Sequence, residues 1–141
     1  LVDGYNIIFS WEDLKALAKD NIDAARQSLM DTLCNYQAYR RCEVILVFDA
    51  YRVPGQTGIV DSYHNIHVVY TKEAETADMF IEKVSYEVSG RKTVRVATSD
   101  GIEQIIILAH GAQRISARRF RDEVEQVNRQ IEASIHRQNQ R

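Results

Sequence analysis

A chain of 141 residues with 45% hydrophobic content is the size of one ordinary domain, here residues 1–141, and has enough apolar mass for its own core. Its 18 Lys and Arg against 20 Asp and Glu leave a formal net charge of -2, which excludes an evenly basic, histone-like surface and confines any nucleic-acid contact to a local patch. Cys34 and Cys42 form no CxxC pair and have no histidine at metal spacing, so zinc sites and disulfide frameworks are excluded and two buried, reduced thiols are expected.

No apolar run approaches the ~20 residues of a membrane span, and no charged stretch with an apolar signal core opens the sequence, so a cytoplasmic protein is expected. The chain begins at Leu1 without a methionine and enters LVDGYN at once, so a few leading residues are expected to be missing.

Leu1 to Asp3 reads as the end of a buried strand, and Asp3-Gly4-Tyr5-Asn6 has a plainer reading as simply a turn. Ser10 with Asp13 has the form of a capping box opening a short helix, Trp11 to about Lys19. From about Asn21 to Arg41, Ile22, Ala25, Leu29, Leu33 and Tyr36 recur at intervals of three and four, the mark of a helix with one buried face. Val44 to Phe48 is an unbroken apolar run suited to a central parallel strand covered on both sides, and it stops at Asp49. Residues 50 to 62 hold Pro54, Gly55 and Gly58 and predict a mobile loop.

Ile66 to Tyr70 is the third predicted strand. Thr76 can cap a helix that buries Ala77, Phe80, Ile81, Val84 and Val88, with Gly90 placed to close it in a left-handed conformation. Thr93 to Ala97 is strand four, a helix from about Gly101 to His110 ends at Gly111, Gln113 to Ile115 is a short fifth strand, and a last helix runs from Ala117 toward Gln138. Strands alternating with helices imply a three-layer α/β/α domain with a central parallel sheet, whose functional crevice lies beyond the carboxyl ends of the strands.

At that edge the sequence places acids. Asp3 ends strand one, Asp49 ends strand two and Asp100 follows strand four, while Asp78 lies in the first turn of the helix after strand three with Glu82 one turn on. Two carboxylates about 5 Å apart repel by about 3 kcal/mol at an effective dielectric near 20, so their convergence requires a counter-charge. Asp3, Asp78 and Asp100 have no Lys or Arg within two residues, and oxygen-only ligands suit hard cations, so one or two Mg²⁺ or Mn²⁺ ions are expected, with Asp3, Asp49, Asp78 and Asp100 as ligands. Such ions activate water at a phosphodiester without a His or Ser nucleophile. Each acid also has a plainer reading: Asp100 with Glu103 fits a capping box, and Asp78 complements a helix dipole. Asn6 suits the orientation of a carboxylate or phosphate.

Other chemistries fit poorly. No GxGxxG or GxxxxGK[ST] is present, the third strand ends without a phosphoacceptor aspartate, and His64, His67 and His110 lack a matching ligand set.

LVDGYNII (Leu1 to Ile8), VFDAYR (Val47 to Arg52), ETADMFIE (Glu75 to Glu82) and ATSDGIEQ (Ala97 to Gln104), in that order, resemble the YacP-type NYN domains, a branch of the PIN-like ribonucleases. The resemblance spans essentially the whole chain. It implies that Asp3, Asp49, Asp78 and Asp100 form the acidic centre, that Asn6 belongs to the opening motif, and that Ser99 and Gln104 flank the last acid. It further implies strand order 3-2-1-4-5, internal cleavage of RNA, and association with mRNA on translating ribosomes.

For RNA contacts, Tyr5 and Tyr51 can stack on bases, and Arg52, Arg118 and Arg119 can hold phosphates, although Asp122, Glu123 and Glu125 follow that second cluster closely. The loop 50 to 62 can order over bound RNA. The alternatives are a catalytically silent PIN-like module that binds RNA or the ribosome as an adaptor, and a small-molecule phosphohydrolase, which would need a DxD pair after strand one where this sequence has Asp3-Gly4-Tyr5.

Overall fold

Ile45–Phe48 has no polar position to offer water, and in the computed structural model it forms a strand buried on both faces: Leu46 and Phe48 enter one core, Val47 the other. The structure describes residues 1–50, 55–99, 101 and 111–139. In chain order the elements are β1 (Val2–Asp3), α1 (Gly4–Ser10), α2 (Glu12–Asp20), α3 (Ile22–Arg40), β2 (Ile45–Phe48), β3 (Val60–Tyr63), β4 (Ile66–Tyr70), α4 (Ala77–Val88), β5 (Arg95–Ala97), β6 (Gln113–Ile115) and α5 (Ala117–Asn139). The sheet order is β3-β4-β2-β1-β5-β6, parallel throughout except for the β3–β4 hairpin. Residues of α1, α3 and α5 pack on one face with Val2, Leu46 and Phe48; α4 packs Ala77 and Ile81 on the other with Val47 and Val96. That is the expected three-layer architecture.

From β4 to β6 the expected five-strand order is recovered, and β3 extends it as an antiparallel edge strand where a loop was expected. Its four residues VDSY carry no apolar alternation and three are exposed, so local pattern gives no strand signal. Pairing supplies it: the hairpin turns at His64, whose φ is 50°, and the Tyr63 hydroxyl donates to Asp31 on α3 at 2.6 Å. Asn65 also donates to the Cys34 carbonyl at 2.9 Å.

The second departure is α1, since the first helix was expected only from Trp11. A leading glycine and an Ile pair are weak helix formers, but Ile7 and Ile8 become fully buried, and tertiary burial overrides propensity. The expected Ser10 capping box does not form. Trp11 instead joins α1 to α2 in extended conformation, and its indole N–H donates to the Ala117 carbonyl at 2.8 Å.

Asn21 and Thr76 do cap α3 and α4, accepting from the amides of Ala24 and Met79. Gly90 is not left-handed, since α4 ends at Ser89 in right-handed conformation, whereas Gly111 is, at φ 80°. Both cysteines are free thiols, but Cys42 is exposed, at the polar joint before β2. The predicted helix 101–110 lies outside the described residues apart from Gly101. Among the described residues no helix is long and apolar enough to cross a membrane.

Candidate active site

Register fixes which way the first acids face. Asp3 pairs with Val47 across β1 and β2, and in a parallel sheet paired residues share a face, so Asp3 lies on the α4 side as Val47 does. Asp49 lies two residues beyond Val47, one pleat further along the same face. Asp3 is only 6% exposed, and the Thr98 hydroxyl donates to its Oδ2 at 3.2 Å. Asp49 is half-buried, and its Oδ1 accepts the amide of Ala77, the first residue of α4, at 2.6 Å. This bond draws the positive end of α4 to the exit of β2 and brings Asp78, the next residue, to the same edge. Asp78 and Glu82 are half-buried and lie one turn apart beside the buried stripe Ala77, Ile81, Ser85.

Asp3 and Asp49 thus lie on one face of the sheet at its carboxyl edge, and the bond to Ala77 sets the start of α4, which carries Asp78, beside Asp49. Asp100 lies outside the described residues, as do Gln104, Tyr51 and Arg52. Among the described residues no three His, Cys, Asp or Glu side chains close into a metal-holding group. The donors present are carboxylate and hydroxyl oxygens, the chemistry that a hard divalent cation takes.

The edge is built by close packing and by hydroxyls. Gly4 follows Asp3 because nothing larger fits: a Cβ there would lie 2.4 Å from a ring carbon of Phe48 and 2.9 Å from the Val47 carbonyl oxygen. Phe48 is fully buried, with the rings of Tyr5 and Tyr70 at centroid distances of 5.1 and 5.8 Å. Tyr5 is therefore no stacking platform for RNA. It is 5% exposed, its ring belongs to the core, and its hydroxyl accepts from the buried Arg26 guanidinium at 3.1 Å.

Asn6 ties α1 to the exit of β5, its Oδ1 accepting the Ser99 amide at 2.8 Å. The Ser99 hydroxyl in turn accepts the Ala117 amide at 3.1 Å, so Ser99 links that exit to the start of α5. The structure thus gives both residues positioning roles around the last acid motif.

The basic residues at the start of α5 divide. Arg121 is committed to other side chains: it donates to both Asp13 oxygens at 3.0 and 3.1 Å, to Glu125 at 3.1 Å, and lies 4.7 Å from the Trp11 ring centre. Arg118 and Arg119 are exposed, and Arg118 lines a groove of about 620 Å³ that also reaches Ser99. Acids share that groove, Asp13, Asp122 and Glu125 among them.

Three residues that sequence reasoning passed over matter here: Thr71, Thr98 and Arg26. Each threonine is buried and directly follows an apolar strand, in VVYT and RVAT. A hydroxyl ending an apolar run at the same edge as an acid was a usable signal. For Arg26, on a helix face shared with Ala25 and Leu29, no sequence signal separates a buried guanidinium from a solvated one.

A mostly parallel sheet between helices, with acids from two strand exits and one helix N-terminus on a single face of its carboxyl edge, is the arrangement of a PIN-like, nuclease-type α/β domain. The "YacP-like NYN domain" family matches residues 1–141, and the chain belongs to that family. It is 43% identical over 136 residues to the Bacillus subtilis (strain 168) protein described as "Uncharacterized protein YacP", covering 96% of this chain and 79% of the relative. The crystal structure of Rae1 (YacP) from Bacillus subtilis superposes with a TM-score of 0.84 at 41% identity, covering 96% of this chain and 78% of that one. A mutant of the same Rae1 gives 0.86 at 38% identity, covering 99% and 82%.

Proposed function

We propose that residues 1–141 form a divalent-metal-dependent endoribonuclease that cuts RNA internally, with mRNA on the ribosome as its cytoplasmic substrate. Its main support is the buried Asp3, set on the same sheet face as Asp49 and the Asp78-bearing end of α4, in a chain of a nuclease-type family. Asp3, Asp78 and Asp100 would hold one or two Mg²⁺ or Mn²⁺ ions, with Asp49 as the fourth acid and Glu82 as an outer member.

An ion held there supplies Lewis acidity at the scissile phosphate and lowers the pKa of the attacking water. The Thr98 hydroxyl fixes one oxygen of Asp3, and the Asn6–Ser99–Ala117 chain fixes the exit of β5 on which Asp100 follows. Arg118 and Arg119, exposed in the first turn of α5, would meet phosphates of the bound RNA. With a formal net charge of -2 the free protein has little general attraction for a polyanion, which supports presentation of the RNA by the ribosome.

The test is incubation of purified protein with labelled RNA in Mg²⁺, Mn²⁺ or EDTA, with and without ribosomes. Cleavage in metal, lost in EDTA and abolished by Asp3→Asn and by Asp78→Asn with an unchanged circular dichroism spectrum, is the expected outcome. Retained cutting in both variants refutes the acidic centre. Binding of RNA or ribosomes without cleavage under every condition would assign the adaptor role instead.

A further inference from the structure

Of the acids at this edge, Asp49 has its backbone pinned on both sides and a side-chain oxygen committed inside the protein. The Thr71 amide donates to the Phe48 carbonyl at 3.1 Å, and the Thr71 hydroxyl accepts the Ala50 amide at 3.1 Å. Thr71 is 1% exposed, so solvent does not compete for these bonds. Between those two anchors, the Asp49 carboxylate accepts the Ala77 amide at 2.6 Å, across 28 residues of chain.

The helix has a local cap as well, because the Thr76 hydroxyl accepts the Met79 amide at 3.2 Å. A local cap satisfies the start of a helix wherever that helix lies. An acceptor on another strand does something further: it fixes where the helix begins relative to the sheet. The residue placed by that bond is Asp78.

We propose that Asp49 is a positioning residue that docks the first turn of α4 on the exit of β2 and so aims Asp78, and that its negative charge is not needed to hold the ion. The inference rests on the metal-dependent reading above. It separates two jobs that a strand-end aspartate can have, since an amide oxygen serves as a hydrogen-bond acceptor at little cost, whereas exchanging a carboxylate ligand of a hard cation for an amide removes a negative charge and weakens binding.

The experiment compares wild type, Asp49→Asn, Asp49→Ala and Asp3→Asn by Mn²⁺ titration calorimetry, RNA cleavage and amide hydrogen exchange at Ala77 in metal-free protein. Asp49→Asn keeps an acceptor, so its Mn²⁺ affinity should stay within about threefold of wild type and the Ala77 amide should stay protected. Asp49→Ala should speed exchange at Ala77 by at least about tenfold, and with Asp78 no longer held in place, cleavage should fall by about 10- to 100-fold.

A loss of Mn²⁺ binding in Asp49→Asn as large as in Asp3→Asn, with Ala77 still protected, would make Asp49 a ligand and overturn the proposal. If Asp49→Ala fails to fold, Asp49→Asn alone decides on that comparison. If wild type neither binds Mn²⁺ nor cuts RNA, the nuclease reading fails. The Ala77 amide then still decides whether Asp49 holds the helix: exchange unchanged in Asp49→Ala refutes it, and exchange about tenfold faster sustains the docking role.

Discussion

Gly4→Ala tests how the acidic edge is built. Gly4 is not among the glycines with positive φ, so alanine can adopt its backbone and any cost must come from space. The added methyl would sit 2.4 and 2.5 Å from two ring carbons of Phe48 and 2.9 Å from the Val47 carbonyl oxygen. The ring cannot yield freely, because it is fully buried with Tyr5 and Tyr70 packed against it. Overpacking of this kind costs about 1–3 kcal/mol, while alanine returns roughly 0.5–1 kcal/mol through helix propensity and a less flexible unfolded chain. The net expectation is a loss of about 1–2 kcal/mol, or roughly 3–8 °C in Tm for a domain of this size. Thermal and urea unfolding followed by circular dichroism would measure it. Because Gly4 adjoins Asp3 and shares α1 with Asn6, RNA cleavage should also fall at temperatures where the variant is fully folded. A Gly4→Ala protein as stable as wild type would refute the close approach as the reason for glycine there.

Two further outcomes concern parts of the fold away from the acids. The Ser85 hydroxyl is fully buried without a hydrogen-bond partner among the described residues, so Ser85→Ala should raise stability by about 1 kcal/mol; an unchanged or lower urea midpoint would contradict that. Glu123 accepts from Arg95 at 3.1 and 2.8 Å and from the Tyr36 hydroxyl at 3.1 Å, and the Arg95 guanidinium holds its carboxyl below the ordinary value. A depressed native pKa gives stability that is present above the ordinary carboxyl range and lost as pH falls through the native value. Wild type should therefore lose stability below about pH 4 more steeply than Glu123→Gln, and parallel acid-unfolding curves would refute the linkage.

What was legible in the sequence follows from how local each signal is. Val44 to Phe48 announced a strand covered on both faces because burial on two sides removes every polar position, and the alternation of Leu46 and Phe48 against Val47 bears that out. Thr76 announced the start of α4 because a cap bonds within its own turn. By contrast, β3 owes its form to β4 and α3, and α1 to the core that receives Ile7 and Ile8; neither cause is written in the element's own residues. The error over Tyr5 descends from missing α1, since a residue read as part of an open turn became one with an inward-facing ring. Likewise nothing local distinguishes Arg121 from Arg118: the partner that engages Arg121, Asp13, is 108 residues away.

Carboxylates brought to one edge repel, so the bonds that hold them must work in the absence of any ion. The Thr98 hydroxyl on Asp3, the Ala77 amide on Asp49 and the Ser99 amide on Asn6 meet that requirement, and each joins two different elements. The bond between Thr98 and Asp3 depends on β1 lying beside β5, and the order β2-β1-β5 places the exits of β2 and β5 on either side of Asp3. A slip of one residue in the β1–β2 register would turn Asp3 to the opposite face, away from α4 and from Thr98. Such a slip is opposed by the core itself, since it would exchange the buried Val2 for the carboxylate on the α1 and α3 side. The same apolar pairing that stabilises the sheet therefore selects the face on which the acids meet, and the polar bonds refine a placement that burial has already made.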